Sequence, residues 1–168
     1  MKELRLAGVI RESIVDGPGM RMTIFTQGCP HHCEGCQNPQ THDFNGGYIS
    51  HPENILNAID KDPLLSGVTF SGGEPFMQPE ALSALADEIH KRGLDIITYT
   101  GFTFEELVSQ KDKFPERMKL LERTDYLIDG KFVLSLRSLD LRFRGSSNQR
   151  IIDVKRSLDE NRVIEATL

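Results

Sequence analysis

All three cysteines of this 168-residue chain stand on one short stretch, Cys29-Pro-His-His-Cys33-Glu-Gly-Cys36. Four thiolates would close a metal site. Three at Cys-x3-Cys-x2-Cys spacing hold a metal or cluster and leave one coordination position open, as a catalytic centre requires and a structural one avoids. Closely spaced thiolates can each take one iron of a cubane, leaving the remaining iron for a substrate or second cofactor. The other occupant to weigh is a structural zinc ion of Cys3His type, with His31, His32 or His42 as fourth ligand. Structural zinc ligands usually come in pairs from two separated turns, whereas these thiols share one loop. His31 and His32 otherwise read as loop surface. A second stretch able to do chemistry is Ser71-Gly72-Gly73-Glu74-Pro75. Its glycines let backbone carbonyls approach a ligand closely, and Glu74 can meet an ammonium group.

Apolar periodicity supplies the elements that must position these groups. Residues 21–26 read as a strand running into the cysteine loop, and residues 67–70 as a short strand delivering Ser71 to Glu74. Ser50-x-x-Glu53 has the form of a capping box opening a helix with Ile55, Leu56 and Ile59 on one face. A helix over 79–92 turns Leu82, Leu85 and Ile89 inward and stops at Gly93. Residues 94–100 form the next strand, Thr103-x-x-Glu106 caps a short helix, and 116–123 forms another amphipathic segment. A brief strand over 126–128 ends at Asp129-Gly130; beyond it, 142–144 and 149–154 are candidate strands. Strand, loop and helix repeated in this order predict an α/β fold with a parallel sheet. Ligands in such folds bind at the C-terminal strand edge, where the loops at Gly28, Gly72 and Gly101 fall. A complete eight-stranded barrel takes about 250 residues. The expectation is therefore an α/β fold built as a partial, open parallel β/α barrel, truncated, in one domain over 1–168.

A formal net charge of -5 argues against non-specific nucleic-acid binding. No apolar run approaches the about 18 residues of a membrane span, and charges occupy the N-terminus where a signal peptide would be apolar. The expected location is cytoplasmic, with neither a nucleic-acid nor a membrane partner. In a reducing compartment, clustered cysteines favour metal or redox chemistry over disulfides.

The cysteine spacing is the signature of the radical S-adenosylmethionine (SAM) superfamily, which this chain resembles from its first predicted strand onward. That resemblance implies a [4Fe-4S] cluster on Cys29, Cys33 and Cys36, with SAM on the open iron as source of a 5′-deoxyadenosyl radical. The superfamily usually has an aromatic residue before the last cysteine. Here it is Gly35, so the adenine would rest on the backbone of Gly35, Cys36 and Gln37. Ser71, Gly72, Gly73 and Glu74 resemble the Gly-Gly-Glu motif that binds the methionyl amino group, and Thr100 at a strand end contacts SAM or caps the turn.

Asp16-Gly17-Pro18-Gly19-Met20-Arg21, locally a turn, resembles the segment ahead of the cysteine loop in activases of glycyl radical enzymes; Asn38, two residues after Cys36, extends the match. Asp129-Gly130-Lys131-Phe132 and the stretch from Arg142 to Gln149 resemble the family that activates anaerobic ribonucleoside-triphosphate reductase. The implied partners are that reductase as protein substrate and a flavodoxin- or ferredoxin-like electron donor. An activase of pyruvate formate-lyase is the nearest alternative, and a non-catalytic zinc or iron–sulfur protein the more distant one. Asp129 orders the site or binds a cation. Arg142, Arg144, Arg150, Lys155 and Arg156 form a basic stretch, either a solvated face or a docking surface. The roles of Arg144 and Asn148 stay open at this point, and no protein side chain is assigned to the radical chemistry itself.

Overall fold

A computed structural model describes residues 1–168. Seven strands form one open sheet in the order β3-β1-β2-β4-β5-β6-β7. Its centre is parallel: β2 (Arg21–Thr26), β4 (Gly67–Gly72), β5 (Asp95–Tyr99) and β6 (Tyr126–Asp129) run the same way. Both flanks are antiparallel, with β1 (Leu4–Ser13) and β3 (Tyr48–Ser50) on one side and β7 (Arg150–Asp153) on the other. The parallel barrel expected from sequence is thus a four-strand arc between antiparallel flanks. No helix is long and apolar enough to cross a membrane.

Helices connect the strands where the sequence has start and stop signals. α2 (Pro79–Lys91) begins on Pro79, whose missing N–H costs nothing at a first helical position, and ends before Gly93 at φ +76°. α3 (Phe104–Ser109) carries the expected capping box, Thr103 accepting from the Glu106 N–H and Glu106 from the Thr103 N–H. α1 (Pro52–Asp60) does not use Ser50. Ser50 pairs with Leu4 inside β3, and the helix starts on Pro52 behind His51, without a side-chain cap. α4 (Pro115–Glu122) and α5 (Val154–Glu160) complete the set, the latter taking over the end of the strand expected at 149–154. Residues 142–144 are loop rather than strand.

Strand alternation sorts side chains onto two faces. Met22, Ile24, Val68, Phe70, Ile96, Leu127 and Ile152 point toward the helices and, with Leu82, Leu85, Ile89, Leu120 and Leu121, form the main core. The alternate positions Thr23, Phe25, Thr69, Ser71, Ile97, Tyr99 and Ile128 look the other way. No helix covers that face. Ile97, Ile128 and Ile151 make a small second cluster there, and the remainder borders a cavity of about 760 Å³.

A buried arginine braces the uncovered face. Arg21 is 0% exposed; its Nε donates to Thr69 Oγ1 at 2.9 Å, Nη2 donates to Val68 O at 3.0 Å, and Nη2 sits 2.6 Å from Asp95 Oδ1. Nη1 donates to Pro18 O at 3.3 Å, so the same guanidinium pins the turn of residues 16–19. Gly17, at φ +139°, has no room for a Cβ, which would lie 2.8 Å from Arg21 Cδ. Arg21→Met strands these acceptors in the interior. It should lower the unfolding free energy of the cluster-free protein by about 3 kcal/mol in urea denaturation, against well under 1 for an exposed Arg156→Met.

Candidate active site

The C-terminal ends of the parallel strands bring the two sequence motifs together. Cys29, Cys33, Cys36, Gln37, Ser71, Gly72, Gly73 and Thr100 all line the same cavity. The loop leaving β2 lies directly against the end of β4: Gly73 N donates to Thr26 O and Glu74 N to Gly28 O, both at 2.8 Å. Glycine is required for this approach. A Cβ on Gly72 would come 2.5 Å from Thr26 N, and one on Gly73 2.9 Å from the Gly28 carbonyl carbon. The glycines therefore seat the cysteine loop on the strand edge, besides keeping their own backbone accessible.

Glu74 and Gly35 are placed differently from the cofactor contacts expected of them; neither borders the cavity. Glu74 is 0% exposed, and its carboxylate is filled from within. His31 Nε2 donates at 2.6 Å, Gly101 N at 2.8 Å, Thr100 Oγ1 at 2.9 Å and Phe76 N at 3.1 Å. Gly35 takes φ +71° and faces the 134–136 turn, where a Cβ would meet Leu134 Cδ1 at 2.8 Å. Thr100 does cap its turn, accepting from Phe102 N at 3.1 Å, and it lines the cavity as well.

His31 corrects the reading of the loop histidines as surface. Its side chain is 7% exposed, bonded to Glu74 and edge-on to Phe102 with centroids 4.7 Å apart. Beyond Phe102 lies Arg117, whose guanidinium stacks on Phe102 and Phe114 and donates to Phe76 O at 3.1 Å. Burial lowers the Arg117 pKa while the Glu74 charge opposes that. Sequence offered no local signal for His31, because its partner lies 43 positions away.

The thiols suit a cluster. Asn38 N donates to Cys36 Sγ at 3.4 Å. N–H···S bonds of this kind hold thiolate sulfurs and tune a cluster's potential. His32 and His42 meet edge to face, centroids 5.3 Å apart. Asp129, 1% exposed, is committed to the Phe104 N–H and to Arg150, which also pairs with Glu105. These carboxylates hold Arg150 protonated, and Arg150 in turn lowers the Glu105 pKa.

Cavity residues to which sequence gave no individual role are Asp16, Phe25, Tyr99, Phe132 and Phe143. Asp16 accepts from the hydroxyls of Ser13 at 3.0 Å and Thr23 at 3.1 Å. Tyr99 donates to Phe143 O at 2.7 Å; burial first, and then the Asp16 charge, push its ionisation well above the ordinary range. Its phenol therefore stays neutral at any working pH.

Burial also pushes the Cys29 thiol up, and Cys29 is 8% exposed while Cys33 and Cys36 are half-buried. Less thiolate and less access both slow its reaction. In the cluster-free protein at pH 8, iodoacetamide should alkylate Cys33 and Cys36 about tenfold faster than Cys29. Peptide mass mapping of a time course checks the order, and the gap should narrow as pH rises through the Cys29 pKa.

Residues 15–152 match a family described as a 4Fe-4S single cluster domain. The anaerobic ribonucleoside-triphosphate reductase-activating protein of Salmonella typhimurium is 37% identical over 145 residues, covering 81% of this chain and 90% of that protein. The protein of that name from Enterobacteria phage T4 is 32% identical over 144 residues, covering 82% and 86%. The pyruvate formate-lyase-activating enzyme of Clostridium pasteurianum is 33% identical over 117 residues, 64% of this chain but 49% of that enzyme. Among solved structures, QueE from Escherichia coli matches with a TM-score of 0.48 at 20% identity, covering 60% of this chain and 54% of that one. Coverage of 90% and 86% of the two reductase activators, joined to three cavity-facing cysteines beside a glycine edge, places the chain in the family of anaerobic ribonucleoside-triphosphate reductase-activating proteins, with its single [4Fe-4S] domain.

Proposed function

We propose that this chain generates a glycyl radical in the backbone of an anaerobic ribonucleoside-triphosphate reductase, with Cys29, Cys33 and Cys36 holding a [4Fe-4S] cluster and SAM occupying the adjoining cavity. The observation that carries the reading is that the three thiols and the Ser71–Gly73 edge border one cavity. When bound, the reduced cluster and SAM supply one-electron cleavage of the sulfonium bond, giving methionine and a 5′-deoxyadenosyl radical able to take a hydrogen atom from glycine.

The protein's own residues place and shield that chemistry. Gly72 and Gly73 hold the strand edge open to the methionyl group, with Ser71 and Thr100 beside them. The N–H of Asn38 keeps the Cys36 sulfur oriented. Phe25, Tyr99, Phe132 and Phe143 give the cavity apolar walls, which exclude water from a reactive intermediate. Asp16, the one carboxylate on the lining, is occupied by hydroxyl donors, in keeping with a reaction that needs no general base from the protein.

A protein substrate fits the mouth of this cavity. Ile10, Val15 and Leu139 line it while staying 46%, 69% and 85% exposed, a rim that apolar contact with another chain would cover. The electron comes from a flavodoxin- or ferredoxin-like donor in the cytoplasm. The fuller match to reductase activators, 90% of their length against 49% for the lyase activator, favours the reductase as target.

The test is anaerobic reconstitution with iron and sulfide, followed by dithionite and SAM, with reductase or pyruvate formate-lyase added in parallel. Wild-type protein should form 5′-deoxyadenosine and a glycyl electron-spin signal on the reductase alone. Cys33→Ala should lose the cubane absorbance and at least about a thousandfold of the cleavage, a loss equivalent to some 4 kcal/mol of barrier. Normal cleavage by that variant would overturn the cluster assignment, and a signal on the lyase alone would redirect the partner.

A further inference from the structure

We propose that Arg144 is a carboxylate-binding residue whose ligand is the amino-acid carboxylate of SAM, an inference that rests on the reading of the cavity as the SAM site. Arg144 borders the cavity together with Gly72, Gly73, Thr100 and Gly130. Its Nε is sealed from solvent and has no acceptor, while Nη1 donates to Gln149 O at 3.2 Å. Arg150 and Arg156, in the same basic stretch, are paired with carboxylates; Arg144 has none within ion-pair distance. A guanidinium on a cavity wall with no carboxylate partner, and with only Nη1 bonded within the protein, leaves its Nη2 edge for an anionic ligand.

The segment is built to hold that guanidinium still. Gln149 Oε1 accepts from Gly145 N at 2.8 Å and Ser146 N at 3.2 Å, and its amide donates to Gly130 O at 3.0 Å. Ser146 Oγ donates to Asn148 Oδ1 at 2.6 Å, and Asn148 donates to Lys131 O at 2.8 Å. On the other side, Phe143 sits at φ +61°, a conformation a bulky side chain rarely takes, and its carbonyl is held by Tyr99. Backbone strain persists where the surroundings over-determine it, and it concentrates at ligand clamps. The polar run from Gly145 to Gln149 is thus a bracket tied to the end of β6 that presents Arg144 to the cavity.

Charge selects the ligand. The lining holds Arg137, Arg142 and Arg144 against Asp16 alone, whose carboxylate already accepts two hydroxyls. SAM has a single anionic group, the carboxylate next to its amino group. With the ammonium at the Ser71–Gly73 edge, the carboxylate can face the guanidinium fork, which suits it geometrically. Arg137 and Arg142 are exposed and would meet acidic side chains of a partner first; Arg144 is half-buried and fixed through Nη1 to Gln149 O.

The experiment measures equilibrium binding of SAM and of its decarboxylated analogue to reconstituted wild type, Arg144→Gln and Arg144→Lys by anaerobic calorimetry. Arg144→Gln should weaken SAM about tenfold or more and leave the analogue within about twofold, so the preference for the carboxylate shrinks by the same factor. Arg144→Lys, which keeps charge but loses the fork, should fall between; it also serves if the glutamine variant fails to fold. Iron content and melting temperature of each variant should match wild type. An unchanged preference in a folded variant overturns the proposal, as does normal SAM binding with loss of reductase binding instead. Failure of wild type to bind SAM at all would instead sink the underlying reading of the cavity.

Discussion

A carboxylate with no access to water organises this site. Glu74 follows the β4 edge and accepts from the cysteine loop through His31, from the end of β5 through Thr100 and Gly101, and from the following turn through Phe76. An ionised carboxylate in such a place is tenable only with its lone pairs filled, so these separated segments must converge for the fold to be stable. The convergence is what sets the thiols beside the glycine edge. Arg117 adds a cation one aromatic layer away, stacked on Phe102, without competing for the carboxylate oxygens. A group that sequence suggests as a ligand contact is better understood as the rivet that makes the ligand contacts line up.

The rivet works because the sheet is asymmetric. All the helices pack on one face, and the strand positions on that face carry the main core. Stability is therefore vested away from the cavity, leaving the other face free to be polar and open. What covers it is loop, tied down by single polar anchors: buried Arg21 for residues 16–19, Tyr99 for Phe143, Gln149 for residues 145–146. Antiparallel β1 and β7 flank the parallel arc where a closed barrel would continue with further β/α units. A short chain thus gains a complete sheet edge for the cofactors while keeping the apolar rim of Ile10, Val15 and Leu139 available to a large substrate.

Legibility in the sequence followed the range of the interactions. The cysteine loop, the glycine edge, the capping box at Thr103 and the inward face of α2 depend on neighbours within a few residues, and pattern alone exposes them. β1 escaped notice because Gly8, Arg11 and Glu12 interrupt its alternation and its register shifts against β2. Ser50 misled because pairing with Leu4 took it into a strand, a long-range demand that overrode a correct local motif. His31 and Arg144 were named by sequence but their roles could not be read from it: one is defined by a partner 43 positions away, the other by the absence of a carboxylate partner. Neither presence nor absence of that kind is written in spacing.

The departure at Gly35 has a physical counterpart elsewhere in the chain. A side chain at this position would begin 2.8 Å from Leu134 Cδ1, so Leu134 occupies the ground that a bulky residue before the last cysteine would need. Leu134 belongs to the same excursion between β6 and β7 that carries Arg144, and Ser146 ties the excursion together by accepting from Val133 N. The cysteine loop and the arginine bracket are therefore packed against each other rather than assembled independently. An aromatic residue at 35 would supply local apolar surface but would have to hold φ +71°, which bulky side chains rarely take, and would displace the Leu134 side chain. Glycine at 35 and the long ordered excursion after β6 are best understood as one solution, in which the second loop supplies the wall that the first gives up.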